Sequence, residues 1–105
     1  MGKSQRTKGA VGEREVCALL REHLGIDAKR NLSQVREGGC DIVAGPYRLE
    51  VKRRTKIGNV YDWMEQAQAS CETGGRPAVI CRADGKKWLA VVPFEDFMRL
   101  VGNEL

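Results

Sequence analysis

The sequence predicts an α/β domain: a mixed sheet of about five strands flanked by helices, in the order helix, three strands, helix, two strands, helix. Three observations carry this prediction. Between Gly38 and Arg54 lie two strand-like runs, Asp41–Ala44 and Tyr47–Lys52, joined across Gly45-Pro46. The second run alternates apolar and charged side chains with the period of two that belongs to a strand. The apolar run Pro77–Arg82 follows it after one helical pattern, and strand–helix–strand order favours a right-handed parallel crossover. Finally, Asp84-Gly85 is a hairpin signal leading into a further strand, Trp88–Val92.

In chain order, residues 1–9 are polar and carry Lys3, Arg6 and Lys8. They read either as a flexible basic arm that orders on a phosphate backbone or as a frayed terminus, with residues 10–105 as a single domain. A helix is expected from about Val11 to Leu24. Its inner stripe is Val16, Leu19, Leu20 and Leu24, and Gly25 ends it. Glu13 lies one turn before Val16 and shares that stripe, whereas Glu15 and Glu22 are expected in solvent. Ile26–Leu32 reads as a short first strand bearing Lys29 and Arg30. It is followed by a polar loop, Ser33–Gly39, that contains Arg36. After Gly58-Asn59 a second helix is expected over Tyr61–Glu72, with Trp63, Met64, Ala67 and Cys71 inward and Gln66 on the edge of the stripe. Gly74-Gly75 ends it. Pro93 opens a last helix whose stripe of Phe94, Phe97, Met98 and Val101 reads as core, together with Trp63 and Trp88.

The totals narrow the function classes. A chain of 105 residues is expected to form one domain. The net charge of +4 is uneven: residues 1–56 hold 13 Lys and Arg against 7 Asp and Glu, and residues 57–105 hold 5 against 7. Acids set in a basic half suit a polyanionic partner. The four cysteines (Cys17, Cys40, Cys71, Cys81) form no Cys-x-x-Cys pair and His23 is alone, so a zinc site is not expected. Reduced thiols in a cytoplasmic protein are expected instead, without signal peptide or membrane span.

The chemistry concentrates in Asp41-x8-Glu50-x-Lys52. Pairing across Gly45-Pro46 brings Asp41 toward Glu50 and Lys52, which share one strand face. Two acids, with the carbonyl of Val51 between the paired side chains, suit a hard divalent cation such as Mg2+. Lys52 is placed to orient a water, lower its pKa or stabilise developing phosphate charge. Glu13 is open to two readings: a third acid of the site, binding metal through water, or a first-turn acid complementing the helix dipole. Gln66 can hold a water or a phosphate oxygen. The run Arg53, Arg54 and Lys56 at the strand exit reads as a phosphate-contacting lip, alongside Lys3, Arg6, Lys8, Lys29, Arg30 and Arg36.

Several segments together resemble a known superfamily: Lys8-Gly-Ala-Val-Gly-Glu-Arg-Glu, Gly39-Cys-Asp-Ile-Val-Ala-Gly, Leu49-Glu-Val-Lys-Arg, Trp63-Met-Glu-Gln-Ala, the strands around Trp88, and Pro93-Phe-Glu-Asp-Phe. Over about residues 8 to 101 the chain resembles the PD-(D/E)XK nucleases, and among them the small Holliday-junction resolvases of archaeal type and their bacteriophage relatives. The resemblance implies a restriction-endonuclease-like fold and Mg2+-dependent hydrolysis of branched DNA, with Mn2+ substituting. It places Glu13, Asp41, Glu50 and Lys52 on the catalytic positions and Gln66 on the helical glutamine. Cys40 departs from the proline of the family name. A resolvase acting in recombination or repair cuts two strands symmetrically, which implies a homodimer. The alternatives are a nicking, repair or restriction-like nuclease on duplex DNA, and a catalytically inactive nucleic-acid-binding module.

Overall fold

The computed structural model describes residues 2–31, 40–71 and 74–104, with the side chains of residues 2–7 outside that description. The elements are α1 (Gly2–Leu24), β1 (Lys29–Arg30), β2 (Ile42–Ala44), β3 (Tyr47–Arg54), α2 (Val60–Ala69), β4 (Arg76–Ala83), β5 (Leu89–Val91) and α3 (Phe94–Glu104). The five strands form one mixed sheet in sequence order. All neighbours are antiparallel except β3 and β4, which run parallel through eight residue pairs from Tyr47↔Arg76 to Arg54↔Ala83. The expected meander, parallel crossover and closing hairpin are therefore all present.

Local chemistry explains most boundaries. Gly45 takes φ +59° at the first position of the two-residue β2–β3 turn, a conformation that glycine adopts without strain. Asn59 caps α2 by accepting from the backbone N–H groups of Tyr61 and Asp62, two donors the first helical turn cannot satisfy itself. Gly25, at φ +67°, donates to the Arg21 carbonyl and ends α1.

Period-two alternation in β3 and β4 splits the core across the sheet. Leu49, Val51 and Ala78 pack with Val16 and Cys17 of α1, and with Ile42 and Ala44 of β2. Val79 and Cys81 pack on the opposite face with Ala67, Trp63 and Met64 of α2. Glu50 and Lys52 stand opposite Val79 and Cys81 in register, so they share the α2 face. Two helices on two faces of a sheet is the layered α/β arrangement.

Four expectations about the helices are corrected. α1 starts at Gly2, not near Val11, so the stretch expected as an arm continues the helix; Lys, Gln and Arg are good helix formers and no proline interrupts them. The inner stripe of α1 is rotated: Cys17 is buried, while Leu19 and Leu24 are 38% and 65% exposed. The cause is Gly12, where an added Cβ would lie 3.1 Å from Arg53 Cβ and 3.4 Å from the Trp88 ring. This close approach fixes which side of α1 meets the sheet. Glu15, expected in solvent, consequently accepts from Arg82 at 2.6 Å and from the Trp88 indole N–H. The last correction concerns α3. Its buried residue is Asp96, and the stripe expected as core faces outward, with Phe94, Phe97 and Met98 70%, 51% and 52% exposed. The physical reason is that α1 and α2 already cover the sheet's two faces, leaving little apolar sheet for a third stripe.

The first strand is also shorter than Ile26–Leu32. Only Lys29 and Arg30 pair with β2, and the Asn31 N–H donates to the Asp41 carbonyl beyond them. Leu32 and the loop Ser33–Gly39, including Arg36, lie outside the described residues.

Candidate active site

Asp41 and Glu50 face each other at the mouth of the β2–β3 hairpin. The Asp41 N–H donates to the Leu49 carbonyl at 2.9 Å, and one step further its side chain replaces a main-chain partner: the Val51 N–H donates to Asp41 Oδ2 at 2.8 Å. A carboxylate is thereby fixed where strand pairing ends. Both acids are buried, Asp41 to 8% and Glu50 to 2% exposure. Burying acids together is costly unless something offsets the charge. Burial, the Asp41 charge and a hydrogen bond between the two carboxyls push Glu50 up to about 8, opposed by Lys52.

Lys52 points along the same face. Its Nζ lies 3.9 Å from Glu50 Oε2 and donates to Gln66 Oε1 at 2.8 Å. The crossover thus has a chemical consequence. α2 follows β3 and packs over the Glu50/Lys52 face, and Gln66, the residue before the buried Ala67, lands against the ammonium. The lysine is 11% exposed along its side chain. With both its orientation and its surroundings set, it forms a positioned positive charge.

Glu13 arrives from the other side. α1 covers the Leu49/Val51 face, and Glu13, next to the close-packed Gly12, accepts from Arg30 Nε of β1 at 2.9 Å. Burial raises its pKa, with Arg30 opposing and the Asp41 charge adding to the rise. Glu13 therefore feels Asp41 but is held by Arg30. Consistent with this, among the described residues no group of three His, Cys, Asp or Glu side chains is arranged to hold a metal. The donor set is two acids, Asp41 and Glu50. A hard ion that keeps several of its waters needs only one or two carboxylates, and a buried Glu50 carboxyl raised by burial and by the facing Asp41 marks a place where positive charge is missing. The residues fit such an ion.

The expected phosphate-contacting residues divide into groups. Arg53 Nη1 lies 3.6 Å from Asp84 Oδ1, and Lys8 Nζ donates to Asp84 Oδ2 at 2.8 Å and to Thr55 Oγ1 at 2.9 Å. The Lys8 contact holds Asp84 below the usual carboxylate range. Arg30 is engaged with Glu13, Arg54 donates to the Arg53 carbonyl, and the exposed Lys29 sits 3.4 Å from Asp27. Lys56 is exposed. The side chains of Lys3 and Arg6 lie outside the described residues, as does Arg36. Two participants escaped sequence reasoning. Arg30 was read as a phosphate contact, not as the partner of Glu13. Gly12 carried a signal, because glycine inside a helical pattern costs stability and so points to a packing reason.

Residues 4–104 match the family model described as phage putative PDDEXK endonuclease. No curated protein matches the chain. The matched span takes in Glu13, the β2–β3 hairpin with Asp41, Glu50 and Lys52, the crossover helix with Gln66, and the closing strands. The five-stranded mixed sheet flanked by helices is the restriction-endonuclease-like arrangement expected of such a chain. Among the described residues no helix is long and apolar enough to cross a membrane. On the match across nearly its whole length, the chain belongs to the phage PDDEXK endonuclease family, a family of nucleases.

Proposed function

We propose that the protein is an Mg2+-dependent, structure-specific DNA endonuclease that resolves four-way junctions by phosphodiester hydrolysis, acting as a homodimer in the cytoplasm of the host cell. The observation that carries the reading is the pairing of two buried acids, Asp41 and Glu50, beside a lysine held by Gln66. Asp41, Glu50 and the Val51 carbonyl would hold the ion, with Glu13 contributing through water, and Mn2+ would substitute. Bound there, a divalent ion supplies Lewis acidity and a water of lowered pKa.

The chain's own residues do the remainder. Asp41, tied to the Val51 N–H through Oδ2, is held facing Glu50. Gln66 restrains the Lys52 ammonium, which then stabilises charge developing on the phosphate without first reorganising. Arg30 holds Glu13 at the margin of the site. Arg53, Arg54, Lys56, Lys8 and Lys29 are assigned to the DNA backbone, with Lys3, Arg6 and Arg36.

The reading is tested by incubating the protein and Mg2+ with equimolar four-way junction, flap, nicked and linear duplex DNA. Paired symmetric nicks in the junction are expected, with cutting lost and binding kept in Asp41→Asn. Preferred cleavage of linear duplex would replace the resolvase reading by a duplex nuclease. Binding without cleavage under any divalent ion would leave only a binding module.

A further inference from the structure

α3 is amphipathic in the reverse sense to a packed helix. Asp96 faces the body, and Phe94, Phe97 and Met98 face out. Among the described residues α3 has no extended packing partner. The Phe94 and Phe97 rings stack at 6.2 Å and 17°, so the two form one continuous outward ridge. Beside the ridge runs a groove of about 570 Å³ between α2 and the β5–α3 connection, lined by Val60, Tyr61, Met64, Val91 and Phe94 among others. Tyr61 on its rim is 80% exposed. Leu89 shares a strand face with the groove-lining Val91 and is 56% exposed, on the strand that ends the sheet.

We infer that this face is where two copies of the chain pair, the α3 ridge of each entering the α2/β5 groove of the other. One copy carries both halves of the contact side by side, which is what a two-fold, isologous interface requires. Tyr61, Leu89, Phe94, Phe97 and Met98 together expose roughly 600 Å² of side chain, so a symmetric pair would bury roughly 1,200 Å², the lower end of specific interfaces. That is also the upper range of apolar patches left open on a monomer. The inference deepens the homodimer of the proposed function; because the site at Asp41, Glu50 and Lys52 lies outside this face, a single-chain mass would remove the pairing and leave the proposed hydrolysis to its own test.

The test is sedimentation equilibrium in EDTA without DNA, from about 1 to about 100 µM protein. A mass twice the 11.7 kDa of one chain is expected. Phe97→Glu with Met98→Glu should weaken pairing at least about tenfold, with the circular dichroism unchanged because both side chains are already exposed. Should that double variant not fold, Tyr61→Lys on α2 gives the same reading from the groove side. Leu24→Lys, on the exposed end of α1, should leave pairing intact. A single-chain mass at the highest concentration, pairing that survives both interface variants, or equal weakening by Leu24→Lys would overturn the inference. So would a monomer that floats with neutral lipid vesicles, which would give the face a membrane instead.

Discussion

Replacing Glu50 by Gln should stabilise the metal-free protein and flatten its pH profile. Glu50 is 2% exposed, faces Asp41 and has Lys52 Nζ 3.9 Å away as its offsetting charge. Its carboxyl is pushed up to about 8 from an ordinary 4.5. In the unfolded chain the group ionises near the ordinary value, whereas the folded protein keeps the proton until about 8. Between those values the folded state binds more protons, so stability falls as pH rises through this window and levels off above it. At ~1.36 kcal/mol per pKa unit the ceiling is about 5 kcal/mol. Water entry and relaxation reduce this, and about 2 to 4 kcal/mol is expected. Glutamine keeps the shape and the hydrogen-bonding capacity without the ionisation. In EDTA, Glu50→Gln and wild type should therefore melt together near about pH 5 and separate by about 10 °C near about pH 8. Glu13, whose pKa is also raised, adds a smaller slope of the same sign to both proteins. The raised thiols of Cys17, Cys40 and Cys81 act only above the window, and the lowered Asp84 only below it. Mg2+ should restore the wild-type melting temperature at pH 8 while leaving Glu50→Gln unmoved. Differential scanning calorimetry decides the matter: a wild-type profile parallel to the variant's between pH 5 and 8 would refute the buried acid pair.

Other outcomes follow from the same geometry. Asp41→Ala should cost about 1–3 kcal/mol more than Asp41→Asn in urea unfolding, because only the amide can still accept from the Val51 N–H; equal costs would remove that structural role. Lys52→Ala should lower the cleavage rate at least about a hundredfold while DNA affinity stays within about twofold, and unchanged turnover would end its catalytic assignment. Gly12→Val should destabilise by about 1–3 kcal/mol, since its Cβ would press on Arg53 and Trp88 and lift Glu13 from the sheet. A melting temperature equal to wild type would show that α1 yields there.

The β2–β3 hairpin was legible because its signals are local. Alternation in Tyr47–Lys52 assigns Glu50 and Lys52 to one face, and Gly45-Pro46 permits one tight connection, so Asp41 can meet only Glu50. Gln66 was legible as a residue near the site, on the edge of the helical stripe and through the resemblance, but its bond to Lys52 was not, because it depends on how α2 seats on the sheet. The rotation of α1 was not legible. Val16, Leu19, Leu20 and Leu24 make a valid apolar stripe at helical spacing, yet Gly12 rather than leucine content selects the face, because it allows the closest approach to Arg53 and Trp88. The partner of Glu13 was hidden because Arg30 is 17 residues away on a two-residue strand.

By itself, then, the sequence determined the strand pairing, the crossover and the placement of Asp41, Glu50 and Lys52 together, all matters of periodicity, turn chemistry and short-range connection. Only the tertiary structure decided that Glu13 reaches the site's margin from the opposite face under Arg30, and that α3 turns its aromatic stripe outward. Periodicity states that a helix has an apolar side. Which surface that side meets depends on what the other helices have already covered.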